Sequence, residues 1–149
     1  VSLDELRPIL HGYRQQVQQA WSPATAHPGY EGKPGDPAGQ CGVTSAWLQR
    51  RLLEDHGIET WYCVGDVFHR GRALRDHCWL EIGEGRNRAI ADLTVDQIHG
   101  AQDRLIICAT FRDLCSESVG YFYRYRLTRK QLGNDPVSAR LAILEEALS

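Results

Sequence analysis

The spacing of apolar residues changes at Gly57, and that change limits the chain to one class of fold. Ahead of it, Leu3, Leu6, Leu10, Tyr13, Val17 and Trp21 recur every three or four positions, the repeat of an amphipathic helix over 3–21. Ser2 and Glu5 are placed for a capping box, and Pro8 predicts either a kink or a start one turn later. A second helix is predicted from Cys41 to about Asp55, closed by Gly57 at the position after its C-cap. Its residues Val43, Ala46, Trp47, Leu48, Leu52 and Leu53 occupy more than one face, so the helix is expected to be largely buried. Beyond Gly57 come short β-rich runs separated by glycine and polar turns: "ETWYCVGDVF", "HCWLEI", "RAIADLT", "DRLIICAT" and "VGYFYRYRLT". "NDPVSARLAILEEAL" returns to helix, with Asp135 as N-cap and Pro136 at its first position. The expected class is α+β: helices first, an antiparallel sheet next, a closing helix last.

One domain over residues 1–149 suits this length, with no internal repeat or low-complexity linker. A net charge of −2 gives no basic surface for nucleic acid or an anionic membrane. "YFYRYR" alternates as a strand does more readily than it forms a base-stacking platform. The sequence contains no secretory apolar region and no run long enough to span a bilayer. Apart from Lys33 and Lys130 every basic side chain is arginine, a bias that GC-rich bacterial genomes produce. Five cysteines, an odd number without framework spacing, read as reduced thiols of a cytoplasmic protein.

Residues 22–40 hold Pro23, Pro28, Pro34 and Pro37 with four glycines. Long loops in compact domains are commonly functional, and this one ends directly at Cys41. It is expected to form one wall of a site, so shortening it should alter substrate choice more than stability. Cys41 in turn opens a helix, where the dipole and free N–H groups stabilise a thiolate and can bind an oxyanion.

Two strands supply partners for that thiol. Alternation in "HCWLEI" puts Cys78, Leu80 and Ile82 on a core face and His77, Trp79 and Glu81 on the other. In the next strand Ile90, Asp92 and Thr94 share a side. With Gly83–Arg86 as the connecting loop, Ile82 faces Asn87 and His77 faces Asp92. Directly opposed residues have Cβ atoms about 4.5–5.5 Å apart, so the carboxylate reaches the imidazole; a one-residue slip would separate them. Cys41, His77 and Asp92 then make a nucleophile, a base and its orienter.

In these residues the chain resembles the transglutaminase-like branch of the papain-like cysteine enzymes. Gly39–Gln40–Cys41 matches the GQC context of the family's nucleophile. His77, Trp79 and Glu81 match an H-x-W-x-E run, and Asp92 to Thr94, "DLT", matches a D-P-T run with Leu93 in place of proline. "GQC" followed by "VTSA", and the later "ADLT", are also similar to small bacterial proteins of the YunG type. The likeness covers roughly residues 38–98. Papain-type proteases carry a GQCG whose nucleophile is a second cysteine three residues on; that position here is Thr44, so the transglutaminase-like alignment makes Cys41 the nucleophile.

The resemblance implies a papain-like or transglutaminase-like core and a thiol-dependent amide hydrolase: a peptidase, amidase or deamidase working through an acyl-enzyme thioester. The alternatives are an acyltransferase with an amine acceptor and a catalytically inactive peptide-binding domain. It implies His77 as base and acid, Asp92 as its orienter, the Cys41 backbone N–H with Gln40 as oxyanion donors, Trp79 as a shield over the pair or as packing, and Glu81 as structural. A peptide or amide substrate is implied, with no cofactor.

Against this stand plainer readings. Free cysteine is often a buried filler, which is also the expectation for Cys63, Cys78, Cys108 and Cys115. Zinc would need Cys63, His69, His77 and Cys78, but no C-x₂-C or H-x₃-H spacing occurs, and neighbours 77 and 78 should point to opposite faces. His69 reads as an exposed turn residue, and His11, His27, His56 and His99 as incidental.

Overall fold

The structure, a computed structural model, describes residues 1–98 and 100–149; the reading of His99 lies outside the described residues. Helices α1 (Leu3–Gln18) and α2 (Cys41–His56) come first. Strands β1 (Trp61–His69), β2 (Arg72–Ile82) and β3 (Ala89–Asp92), a 3₁₀ turn (Val95–Gln97) and β4 (Ile107–Thr110) follow. The chain then runs through α3 (Phe111–Ser116), β5 (Val119–Leu127), α4 (Arg129–Leu132) and α5 (Val137–Leu148). The five strands form one antiparallel sheet in the order β4-β3-β2-β1-β5. The α+β class is as expected, with two short helices, α3 and α4, interleaved among the strands.

Local signals set the helix ends. The Ser2 hydroxyl accepts the Glu5 N–H (3.1 Å) and the Glu5 carboxylate accepts the Ser2 N–H (3.2 Å), so α1 starts there and Pro8 lies inside it. The helix stops at Gln18, three residues short of Trp21, whose indole reaches back to donate to Thr44 Oγ1 at 2.9 Å. Gly57 closes α2 with φ +67, its N–H donating to Leu52 and Leu53 carbonyls, a left-handed turn that glycine adopts freely. Helix α5 begins at Val137, not at Pro136; Asp135 still caps it, accepting the Val137 N–H at 3.0 Å.

Both faces of the sheet are covered. On one, Tyr62, Val64, Cys78, Leu80 and Ala91 pack against Leu10, Leu48, Leu52 and Leu144 of the helices. On the other, Cys63, Val67, Trp79, Ile90 and Tyr121 pack with Val95, Ile98 and Leu114. Each such leucine or isoleucine contributes about 1.5–3 kcal/mol by leaving water. Arg14 of α1, 3% exposed, ties the segment after β3 into place: it donates to Leu93 O (2.9 Å), Leu105 O (2.9 Å) and both carboxylate oxygens of Asp96 (2.6 and 2.7 Å). Among the described residues no helix is long and apolar enough to cross a membrane.

Candidate functional site

The proline-rich loop delivers Cys41. Gly39, at φ +77, lets the chain turn beneath the Tyr30 ring; a Cβ there would lie 2.5 Å from Tyr30 Cγ. Gln40 then fixes the entry: its N–H donates to Pro37 O (3.0 Å), its Oε1 accepts the Thr25 hydroxyl (2.8 Å), and its Nε2 donates to Ser22 O (3.2 Å). The first helical bond of α2 runs from Thr44 N–H to Gln40 O at 3.0 Å. No side chain among the described residues caps this end, so the N–H groups of Cys41, Gly42 and Val43 precede the hydrogen-bonded ladder. Cys41 itself is half-buried. Thr44 is buried, and its hydroxyl oxygen accepts the Trp21 indole N–H.

His77 is brought to it by an irregular strand. Gly65 of β1 pairs with His77, but Val67 pairs with Leu74, so Arg75 and Asp76 together oppose Asp66. Asp76 takes the extra step at φ +60. Such a bulge re-aims the side chains beside it.

Asp92 meets His77, though not in the expected register. Ile82 faces Ala89 rather than Asn87, and Leu80 faces Ala91, because the connecting loop runs two residues further, to Arg88. A two-residue shift keeps every side chain on its face, so Asp92 stays beside His77, one step along the diagonal. Its Oδ2 lies 2.7 Å from His77 Nε2. The same carboxylate accepts the Tyr121 hydroxyl (2.7 Å), the Thr94 N–H (2.9 Å) and the Thr94 hydroxyl (3.3 Å). On the other edge of the imidazole, Nδ1 is 2.8 Å from the Gln97 amide nitrogen. Trp79 stacks on the ring at 6.1 Å and 19°.

The electrostatics follow from these contacts. The Cys41 thiol is held well below its ordinary value, first by a hydrogen bond from the Cys78 side chain. Burial opposes this, while hydrogen bonding to His77 and the charge of His77 add to it. For His77 the strongest influence is burial, which disfavours its charge; the charge and hydrogen bond of Asp92, with Cys41 behind them, overcome it and push the imidazole up to about 10. Burial likewise works against ionised Asp92, and His77, the Thr94 N–H and the Tyr121 hydroxyl outweigh it and hold the carboxyl below the usual range. Cys41 thiolate, His77 imidazolium and Asp92 carboxylate are therefore the forms this site favours. A thiolate beside an acid and uncapped N–H groups can attack a carbonyl carbon and hold the resulting oxyanion.

The pair opens on a groove of about 730 Å³ bordered by His27, Tyr30, Cys41, His77, Tyr125 and Arg140. The loop forms one wall of this groove, through His27, Pro28, Tyr30 and Gly39. Trp79 takes the packing place that was one of its two readings, while Gln40 does not reach the groove. Trp79 is 0% exposed behind His77, with its indole N–H donated to Glu81 at 2.9 Å; it packs the imidazole and touches nothing in the groove. Gln40 is also 0% exposed, and its amide is engaged by Ser22 and Thr25, so it anchors the loop. Glu81 is structural, accepting from Trp79 and from Arg88 (2.7 Å). His69 is not an exposed turn residue but 2% exposed at the end of β1; burial, then the charges of Arg70 and Arg104, lower its pKa.

Cys78 is buried on the core face, as expected, and does more besides. It also borders the groove, and its sulfur accepts the Tyr62 hydroxyl at 3.3 Å. Cys63 and Cys108 are buried and Cys115 half-buried, and all five thiols are free. Among the described residues no group of three or more His, Cys, Asp and Glu is arranged to hold a metal ion. Tyr121, Thr94 and Gln97 were not foreseen. Thr94 was legible in "DLT", since an aspartate commonly takes the N–H two residues on; Tyr121 and Gln97 reach the site only through tertiary packing. Compared with known proteins, the chain matches no family model, no curated protein and no solved structure.

Proposed function

We propose that this protein is a thiol-dependent amide hydrolase built on a papain-like or transglutaminase-like core. The observation that carries the reading is the arrangement of His77, with Nε2 bound to Asp92 at 2.7 Å and the imidazole bordering the same groove as a half-buried cysteine at an uncapped helix start. Cys41 thiolate attacks the amide carbonyl, and the first-turn N–H groups of α2 bind the oxyanion. His77 imidazolium gives its proton to the leaving amine as the C–N bond breaks, leaving a thioester on Cys41. Neutral His77 then takes a proton from water, which attacks the thioester and releases the carboxylic acid and the thiolate. Asp92 keeps Nε2 protonated throughout and favours the imidazolium. The chemistry calls for no cofactor, and five free thiols fit a reducing cytoplasm.

The test is the pH dependence of Cys41 alkylation by iodoacetamide, read by peptide mass spectrometry in wild type and His77→Ala. A reactive plateau extending below pH 7 at Cys41 alone, lost in His77→Ala, is the expected result. Reactivity that rises only near pH ~8.5, as for an ordinary thiol, and is indifferent to His77 would overturn the reading.

A further inference from the structure

Three arginines border the groove, and two of them are already neutralised. Arg75 pairs with Asp66 at 3.3 Å; Arg124 pairs with Asp66 at 3.3 Å and also with Asp76. Arg140, on α5, has no ion-pair or hydrogen-bond partner among the described residues, and its Nε is buried without one. Asp135 borders the same groove but accepts the Val137 N–H at 3.0 Å and makes no ion pair with Arg140. A buried N–H left without an acceptor costs free energy comparable to a lost hydrogen bond.

The guanidinium is placed beside the reacting residue. Its Nη2 would stand 3.5 Å from a Cβ on Gly42, the neighbour of Cys41, where the Tyr62 hydroxyl would stand at 3.2 Å. Residue 42 has no side chain, and Gly42 and Arg140 both border the groove. Arg140 and the uncapped first turn of α2 therefore present positive charge to the same space, and both favour an anion. A guanidinium offers parallel N–H donors that match a carboxylate in geometry as well as charge.

We propose that Arg140 determines specificity by binding a carboxylate of the substrate, close to the carbonyl that Cys41 attacks. The inference rests on Cys41 being the nucleophile. It narrows the substrate class to acyl compounds that carry a carboxylate within a few bonds of the scissile amide.

Iodoacetate and iodoacetamide test this directly, since they differ in little but a carboxylate. Second-order rate constants for Cys41 would be measured with both reagents at pH ~7 in wild type, Arg140→Gln, Arg140→Lys and Arg129→Gln, the last being remote from the groove. The expected result is a fall of about tenfold in the iodoacetate-to-iodoacetamide ratio in Arg140→Gln, a charge-assisted hydrogen bond being lost. Arg140→Lys should recover part of it, and Arg129→Gln should keep the wild-type ratio. His77 attracts iodoacetate in every variant and cancels in the comparison. An unchanged ratio in Arg140→Gln, or an equal fall with both reagents, would overturn the proposal. Failure of the nucleophile reading looks different: the iodoacetamide rate in wild type would be that of an ordinary thiol, whatever the ratio does.

Discussion

His77 and Asp92 meet on the diagonal of a two-strand ladder: Nε2 lies 2.7 Å from Oδ2, although the Leu80↔Ala91 register, continued by one residue, sets Asp92 level with Trp79. Because Asp92 holds Nε2, only Nδ1, which also lies 2.8 Å from the Gln97 amide, remains to serve the thiol. Asp92→Asn removes the charge that keeps His77 protonated, and with it much of the support for a Cys41 thiolate. Alkylation of Cys41 at pH ~6 should slow by about tenfold or more. An unaltered rate would mean that the carboxylate only packs.

The same pair makes stability depend on pH with a defined sign. His77 is raised from 6.5 to about 10, so its contribution is complete below about pH 6.5 and is lost as pH rises through about 10. Asp92 is lowered from 3.8, so its contribution is present above about pH 4 and is lost as pH falls through its folded value. The gap in melting temperature between wild type and Asp92→Asn should be widest between pH ~4 and ~6.5 and should close toward pH ~10. A constant gap across that range would sink the assignment.

Tyr121 donates to the same carboxylate oxygen from β5 at 2.7 Å. Removing a hydrogen bond to a buried charged group costs about 1.5–3 kcal/mol, so Tyr121→Phe should lower the urea midpoint accordingly. With one donor gone the Asp92 pKa should move up toward 3.8, and the acid limb of the stability profile should shift to higher pH. A loss of stability with an unmoved acid limb would assign Tyr121 to packing alone.

What the sequence disclosed divides by range. Cys41, His77 and Asp92 were legible because helix starts and strand alternation are local patterns, and the face of a strand survives a two-residue error in register. The groove role of Cys78 was hidden because alternation alone describes a regular strand, and β2 is bulged at Asp76. The sequence left Trp79 between shield and packing and pointed Gln40 toward the site, because burial depends on layers that no local pattern announces. The second core face was equally hidden: a strand of mixed polarity such as "HCWLEI" looks half-exposed, yet its Glu81 is buried through bonds from Trp79 and Arg88.

Gln97 competes for the nitrogen that the thiolate needs. Its amide lies 2.8 Å from His77 Nδ1; beside an imidazolium, which has only donors, it must present its oxygen instead. Gln97→Ala leaves Nδ1–H to Cys41 alone. Iodoacetamide labelling of Cys41 should then extend to lower pH than in wild type. A profile shifted upward would instead make Gln97 a support of the imidazole.

Gly65 is where the sheet's two irregularities meet. It pairs with His77 on one side, next to the β2 bulge, and with Tyr123 on the other, where β5 carries Arg124 as an extra residue. A Cβ at this position would lie 2.2 Å from Phe122 O and 2.7 Å from Tyr123 Cα. Both are backbone atoms, so β5 must move away and the ladder that fixes His77 must move with it. Gly65→Ala should therefore destabilise by about 1–3 kcal/mol or more and slow Cys41 alkylation at the same time. Gly12→Ala in α1 provides the contrast: nothing lies within 4 Å of its added Cβ, and the helix should gain up to about 1 kcal/mol. Denaturant midpoints for the two variants should move in opposite directions. If Gly65→Ala left both the midpoint and the Cys41 rate at wild-type values, the bulged crossing would have no part in placing His77.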